Sequence, residues 1–225
     1  MADVAGLWRS ATERCRGVLA YRGTIRMAGR FRLHATLGLA VDAAGHIGLR
    51  AVALGPVFAL GGDLTSATLF LNGDNRVVVA PPAEIIEAVV GLRLDPQRLL
   101  ALLSGCVSTS AEAQGAVRRG RIVEVSTRDA VVFLDADGAG LRPRAGRFDG
   151  LTVEYRRFDA SHYPRQLAIA SAPGRSPEIN VTLDVRDLDI NPSFDGREFV
   201  VIPPATAVPA SLEDLRAAGP LGQSR

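Results

Sequence analysis

The chain has 225 residues, 47% of them hydrophobic and only 5% aromatic, and its 26 basic side chains, all arginine, nearly balance 24 acids for a net charge of +2. That length suits one large all-β domain or two small ones with a substantial core, and a near-neutral charge argues against a nucleic-acid-binding protein. No run reaches the roughly 18 apolar residues of a membrane span, and residues 1–16 lack the apolar core of a signal peptide.

The chain as given therefore reads as soluble, and if it is exported its start has been trimmed. Two cysteines and three histidines supply neither a metal-ligand spacing nor a disulfide framework. Cys15 and Cys106 read as buried free thiols, with a disulfide between them as the alternative in an oxidising compartment.

Val4, Leu7, Trp8, Ala11, Cys15 and Val18 recur at helical intervals opposite Arg9, Ser10, Glu13 and Arg14, which predicts an amphipathic first helix. Alternation then takes over. Leu19, Tyr21, Ile25 and Met27 oppose Arg22, Thr24 and Arg26. In the next strand Phe31, Leu33, Ala35, Leu37, Leu39 and Val41 oppose Arg30, Arg32, His34 and Thr36. A turn at 42–46 leads into Ile47, Leu49 and Ala51, and short strands are expected at 57–60, 67–71 and 76–79.

Residues 81–106 interrupt the strands with two short amphipathic helices. Ile85, Ile86, Val89 and Val90 share one side of the first, and Gly91 stops it. In the second, Asp95 is the N-cap, Pro96 takes the first position, Leu99, Leu100, Leu102 and Leu103 form the stripe, and Gly105 ends it. Strands follow at 116–126, 130–134, 151–157, 165–171, 179–186 and 199–202, and a helix at 211–217 is capped by Ser211.

These periods predict a mainly β fold: a single curved antiparallel sheet of about eleven strands forming a half-barrel, with an N-terminal helix and a helical lid over an apolar cavity. The domain spans 1–202, and 203–225 is a Pro-rich tail with a short terminal helix. Phe31, Leu33, Leu37, Leu39, Ile47, Leu49, Val181 and Leu183 are expected to line the cavity. Ile85, Ile86, Val89, Leu99 and Leu103 are expected on the underside of the lid. A lining of aliphatic side chains suits flexible alkyl groups better than flat ligands.

Chemistry finds little support. Asp159, Ser161 and His162 lie too close in sequence for a triad, and no nucleophile elbow is present. Asp135, Asp137, Asp187 and Asp189 read as solvated turn residues. Arg118, Arg119 and Arg121, with Arg142, Arg144 and Arg147, form two basic clusters on a solvated face, where anionic lipid head groups would also be attracted. No catalytic residue, cofactor or metal is assigned, and the protein is expected not to be an enzyme.

The segment AEIIEAVVGLRLDPQRLLALLSG resembles the paired helices of the bacterial lipoprotein-localisation (LolA/LolB) family, most closely on its outer-membrane-receptor side. LRAVALGPVFALGGDLTSATLFL is similar to that family's strand, protruding Leu-Gly loop and strand, and LTVEYRRFDASHYPRQLAI to a strand pair joined by a loop before a Pro. The resemblance covers residues 7–202.

It implies a carrier that holds the acyl chains of lipoproteins or lipids and delivers lipoproteins to the inner leaflet of the outer membrane, with a periplasmic lipoprotein carrier as donor. The location implied is the periplasmic face of that membrane, through a lipid anchor absent from this chain. Leu54, with Phe58 nearby, matches the apolar residue of the protruding loop that assists transfer; the alternative for Leu54 is an ordinary hairpin residue. Rival readings are a carrier of free lipids or glycolipids on the same scaffold, and a structural envelope β-protein acting through protein contacts.

Overall fold

The structure, a computed structural model, describes residues 4–29, 35–52, 56–108, 112–136, 141–172 and 179–217. In chain order its elements begin with α1 (Val4–Arg16), β1 (Ala20–Gly29), β2 (Ala35–Asp42), β3 (Ile47–Val52), β4 (Pro56–Gly62), β5 (Ala67–Leu71) and β6 (Arg76–Ala80). Two helices follow, α2 (Pro82–Val90) and α3 (Pro96–Leu103). Then come β7 (Gly115–Arg119), β8 (Ile122–Ser126), β9 (Val131–Ala136), β10 (Leu141–Phe148), β11 (Leu151–Phe158), β12 (Pro164–Ser171) and β13 (Asn180–Ile190). A 3-10 turn (Arg197–Phe199), β14 (Val208–Pro209) and α4 (Leu212–Ala217) are the last elements among the described residues. The fold is mainly β, with fourteen strands among the described residues rather than about eleven.

The chain divides into two compact units, Met1–Val18 with Ala101–Thr182 and Leu19–Leu100 with Leu183–Arg225. In the first unit the strand order is β13-β12-β11-β10-β9-β8-β7; in the second it is β14-β6-β5-β4-β3-β2-β1-β13. Strand β13 runs through the division, giving 180–182 to the first and 183–190 to the second. Among the pairings with a described register, all are antiparallel except β14 with β6.

The three added strands have separate causes. Residues 116–126 were expected as one strand, but Gly120 at φ 63° turns the chain into the β7–β8 hairpin. Residues 141–148 were read as part of a basic cluster, and they form β10. Its buried positions are Leu141, Pro143, Gly146 and Phe148, and a register shift between Pro143 and Ala145 breaks the period of two that would have revealed them. The two residues of β14 are too short to leave a pattern. In the opposite direction, residues 199–202 were expected as a strand and instead begin with Phe199 at the end of the 3-10 turn.

The helix boundaries follow local chemistry. Pro82 occupies the first turn of α2, and Gly91, at φ 75°, ends it by donating to the Glu87 carbonyl at 2.8 Å. The Asp95 carboxylate accepts the Arg98 N–H at 2.6 Å, the N-cap of α3. Ser211 and Asp214 cap α4 reciprocally. Hydrogen bonds from the Ser211 N–H and hydroxyl hold the Asp214 carboxyl below its ordinary range.

In the first unit Cys15 and Cys106 form a disulfide with Cα atoms 5.7 Å apart, so neither thiol is free. The bond ties α1, which packs on β10, to the segment after α3. A Cβ added at Gly146 would collide with the Val107 side chain, so the glycine lets that segment lie directly on β10.

In the second unit the chain after β13 crosses the polar face of the sheet as a strap. Gly48 on β3 and Gly61 on β4 face that way. A Cβ at Gly48 would strike the Glu198 carbonyl, and one at Gly61 would lie 2.6 Å from the Phe199 oxygen. Phe199 is buried, stacked on His46 at 5.2 Å and edge-on to Phe194 at 4.9 Å. Farther on, Asn75 donates to the Thr206 carbonyl, β14 pairs with β6, and α4 packs on α2 with Leu215 buried.

Because backbone rather than a flexible side chain opposes Gly48, Gly48→Ala should cost about 1–3 kcal/mol in urea unfolding. Gly73→Ala, where a Cβ meets nothing within 4 Å, should cost much less. Equal losses at the two sites would show that the strap is not seated on β3.

Candidate apolar binding face

The registers of the second unit assemble its apolar residues into three rows across the strands. In the middle row Gly23, Leu39, Leu49, Leu60, Leu69 and Val78 are successive cross-strand partners from β1 to β6. On one side lie Tyr21, Val41, Ile47, Gly62, Ala67 and Ala80; on the other lie Ile25, Leu37, Ala51, Phe58, Leu71 and Arg76. Only Arg76 at the edge of this face carries charge. Leu39 is 4% exposed and Leu69 1%, whereas Leu49 is half-buried.

Alternation produces this face. Each β-strand sends every second side chain to the same side, and antiparallel partners in register point the same way, so strands of period two add their apolar halves. Gly23 is needed because the Tyr21 ring occupies its place: a Cβ there would lie 2.8 Å from Tyr21 Cε1 and from the Asp187 carbonyl oxygen.

Among the residues expected to line a cavity, Leu37, Leu39, Ile47 and Leu49 come together on this face. Leu183 is buried in the same unit and Val181 is buried in the first. Phe31 and Leu33 lie outside the described residues, as does Leu54. Phe58 sits within β4, not in the preceding loop. It is buried on the apolar face opposite Ala51 and Leu71. Ile25, Leu60, Leu69 and Val78 belong to the same face; the alternation of their strands carried that information, but only the register joins them.

Among the helix residues, Ile85, Val89 and Leu103 are buried, and Ile86 and Leu99 are half-buried. Gln97 at the start of α3 donates to the Ala43 carbonyl at 3.0 Å, which ties that end of the helix to the β2–β3 turn. Arg93 bridges back to Glu87 at 3.1 Å and to Glu84 at 3.8 Å.

The segment with Ser and His builds a turn. Asp159 accepts the Tyr163 N–H at 2.9 Å and pairs with Arg165 at 3.1 Å, while Ser161 and His162 are exposed, His162 at φ 65°. Its carboxylate is thus engaged in closing the turn rather than orienting an imidazole. In the basic clusters Arg121 grips Asp135 through two hydrogen bonds of 3.1 and 3.0 Å, and Arg147 lies over the Phe133 ring at 5.1 Å. Among the described residues no three His, Cys, Asp or Glu side chains are grouped to hold a metal ion, and no helix is long and apolar enough to cross a membrane.

No protein-family model matches the sequence, and no curated protein matches it. Solved structures do match the fold. One is a LolA superfamily protein from Nitrosomonas europaea, with 12% identity and a TM-score of 0.53 over 87% of this chain and 96% of that one. Another is a DUF1329 family protein from Desulfovibrio piger ATCC 29098, with 10% identity and a TM-score of 0.56 over 88% of this chain and 96% of that one. At these identities the likeness is one of fold, and that fold agrees with the resemblance carried by the paired helices and their flanking strands.

Proposed function

We propose that this chain, having the fold of the LolA superfamily, is a non-enzymatic carrier that holds the acyl chains of lipoproteins or lipids on its apolar face and delivers lipoproteins to the bacterial outer membrane. The observation that supports this best is the set of three apolar rows across six strands. Each methylene taken from water onto such a face contributes about 0.8 kcal/mol, so a dozen carbons supply roughly 10 kcal/mol before entropic costs. Release then needs a competing apolar sink, which the membrane provides.

In this reading α2 and α3 act as the lid, residues 1–202 carry the cargo function, and 203–225 are accessory. A periplasmic lipoprotein carrier is the donor. The Cys15–Cys106 disulfide supports residence in an oxidising compartment, as the envelope is.

Native mass spectrometry of gently purified protein tests the reading. A bound acylated lipoprotein is the expected result, and bound free lipid or glycolipid would move the cargo to that class. A protein that is empty and takes up no apolar probe would overturn the carrier and leave a structural envelope protein. In the same reading Leu54 acts in membrane transfer. Leu54→Glu should leave cargo uptake and melting temperature near wild type while slowing transfer to liposomes, because one inserted leucine contributes roughly 1–2 kcal/mol. Transfer at the wild-type rate would remove Leu54 from the mechanism.

A further inference from the structure

The polar face of the second unit contains a cavity of about 620 Å³, within the range of small-molecule sites, about 300–1,000 Å³. Its floor lacks side chains. On β2 and β3, Gly38 and Ala40 lie beside Arg50 and Gly48 in register, so three adjacent positions carry nothing larger than a methyl group. The strap, resting on Gly48, closes one side.

The charges around this floor fall into two groups. Arg22 donates to the Ser193 carbonyl at 2.8 Å, lies 3.6 Å from Glu198 and covers the Phe194 ring at 5.1 Å. Arg197 lies 3.7 Å from Asp195. Arg22 and Glu198 thus fasten the strap to β1, while the Arg197–Asp195 pair lies within the strap itself. Arg50 on β3 and Asp187 and Asp189 on β13 line the same cavity, and among the described residues none of their side chains has a hydrogen bond or ion pair. Asp187 and Asp189, two residues apart on one strand, face the same way, and the consecutive exposed residues Arg186 and Asp187 break the period that keeps Val181, Leu183 and Val185 on the buried side.

The guanidinium of Arg50 and the two carboxylates of Asp187 and Asp189, each without a side-chain partner among the described residues, are thus held apart across one cavity by the strands that carry them. We infer that this cavity binds a small zwitterion, its oxyanion on Arg50 and its ammonium groups on Asp187 and Asp189. The guanidinium offers paired donors matched to a carboxylate or phosphate. The carboxylates accept from ammonium groups, and the surplus of one negative charge among the three favours a ligand with two ammonium groups, as in a basic amino acid. A free amino acid and the ethanolamine-phosphate group of a lipid both offer an oxyanion with an ammonium. This site lies on the face opposite the apolar rows and does not depend on the carrier reading.

Isothermal titration of the full chain with L-lysine, L-alanine, phosphoethanolamine and glucose tests it. L-lysine should bind more tightly than L-alanine, and glucose should give no saturable heat. Tighter binding of phosphoethanolamine than of L-lysine would still support the site and identify a head group as its source. Arg50→Gln and the pair Asp187→Asn with Asp189→Asn, all at exposed positions, should each weaken binding at least tenfold with melting temperature and apolar-probe uptake unchanged. Absence of saturable heat with both L-lysine and phosphoethanolamine, binding indifferent to both sets of substitutions, or glucose binding as tightly as L-lysine would overturn the proposal. Because apolar-probe uptake is read on the same protein, failure here is distinguishable from failure of the carrier reading.

Discussion

Reduction of the Cys15–Cys106 disulfide, or its replacement by serines at both positions, should destabilise the first unit by roughly 4 kcal/mol. The bond spans 91 residues of sequence. In the chain-entropy description, opening a loop of that length returns about 4–5 kcal/mol of freedom to the unfolded chain, against a usual range of about 2–4 kcal/mol for native disulfides. For a chain of this size each kcal/mol moves the melting temperature by about 2–4 °C, so a fall of roughly 8–16 °C is expected.

The structure also indicates where the loss begins. α1 is held by the disulfide, by its packing on β10 and by the burial of Trp8 and Thr12. Trp8 is the only tryptophan in the chain. Its emission should shift to the red when reductant is added, before the far-ultraviolet signal of the strands is lost. The double-serine variant should melt at the lower temperature with or without reductant. A wild-type protein in which two thiols react freely and reductant moves neither signal would refute the assignment.

The strands that read correctly are those in which nothing disturbs the period of two. In β2, Leu37, Leu39 and Val41 alternate without a break, and in β13 so do Val181, Leu183 and Val185. β10 escaped because its inward set contains a proline and a glycine, and because Arg144 sits at the register shift. The apolar residues around Phe199 read as a strand because hydrophobicity alone cannot distinguish a strand from a segment lying across one. What distinguished them was on other strands: Gly48 and Gly61, at positions where a side chain would block the crossing.

The same limit applies to the sites. The apolar face was legible strand by strand, while its assembly into rows required a register that sequence periods do not fix. Asp187 and Asp189 read as solvated turn residues, since their relation to Arg50 arises only when β13 joins β1 in the sheet. The disulfide joins residues from opposite sides of six strands of sequence, and no spacing rule reports such a pair.

A carboxylate placed in the middle apolar row should abolish binding of an apolar fluorescent probe. Leu39 and Leu49 are direct cross-strand partners there, and they differ in the respect that matters, since Leu39 is buried and Leu49 is half-buried. Leu39→Asp must bury a charge or neutralise it and also loses a close-packed side chain, at a combined cost of about 3–5 kcal/mol, so it should unfold or nearly unfold the second unit. Leu49→Asp keeps its carboxylate partly in water. It should cost about 1–2 kcal/mol, leave a cooperative urea transition, and still weaken the probe at least tenfold, because bound hydrocarbon would have to desolvate the new charge. Leu49→Ala separates the two effects: it removes roughly the same packing without the charge and should lose only a few-fold in probe affinity. If Leu49→Asp folds and binds the probe as wild type does, hydrocarbon does not bind on this face, and the carrier reading loses the observation on which it rests.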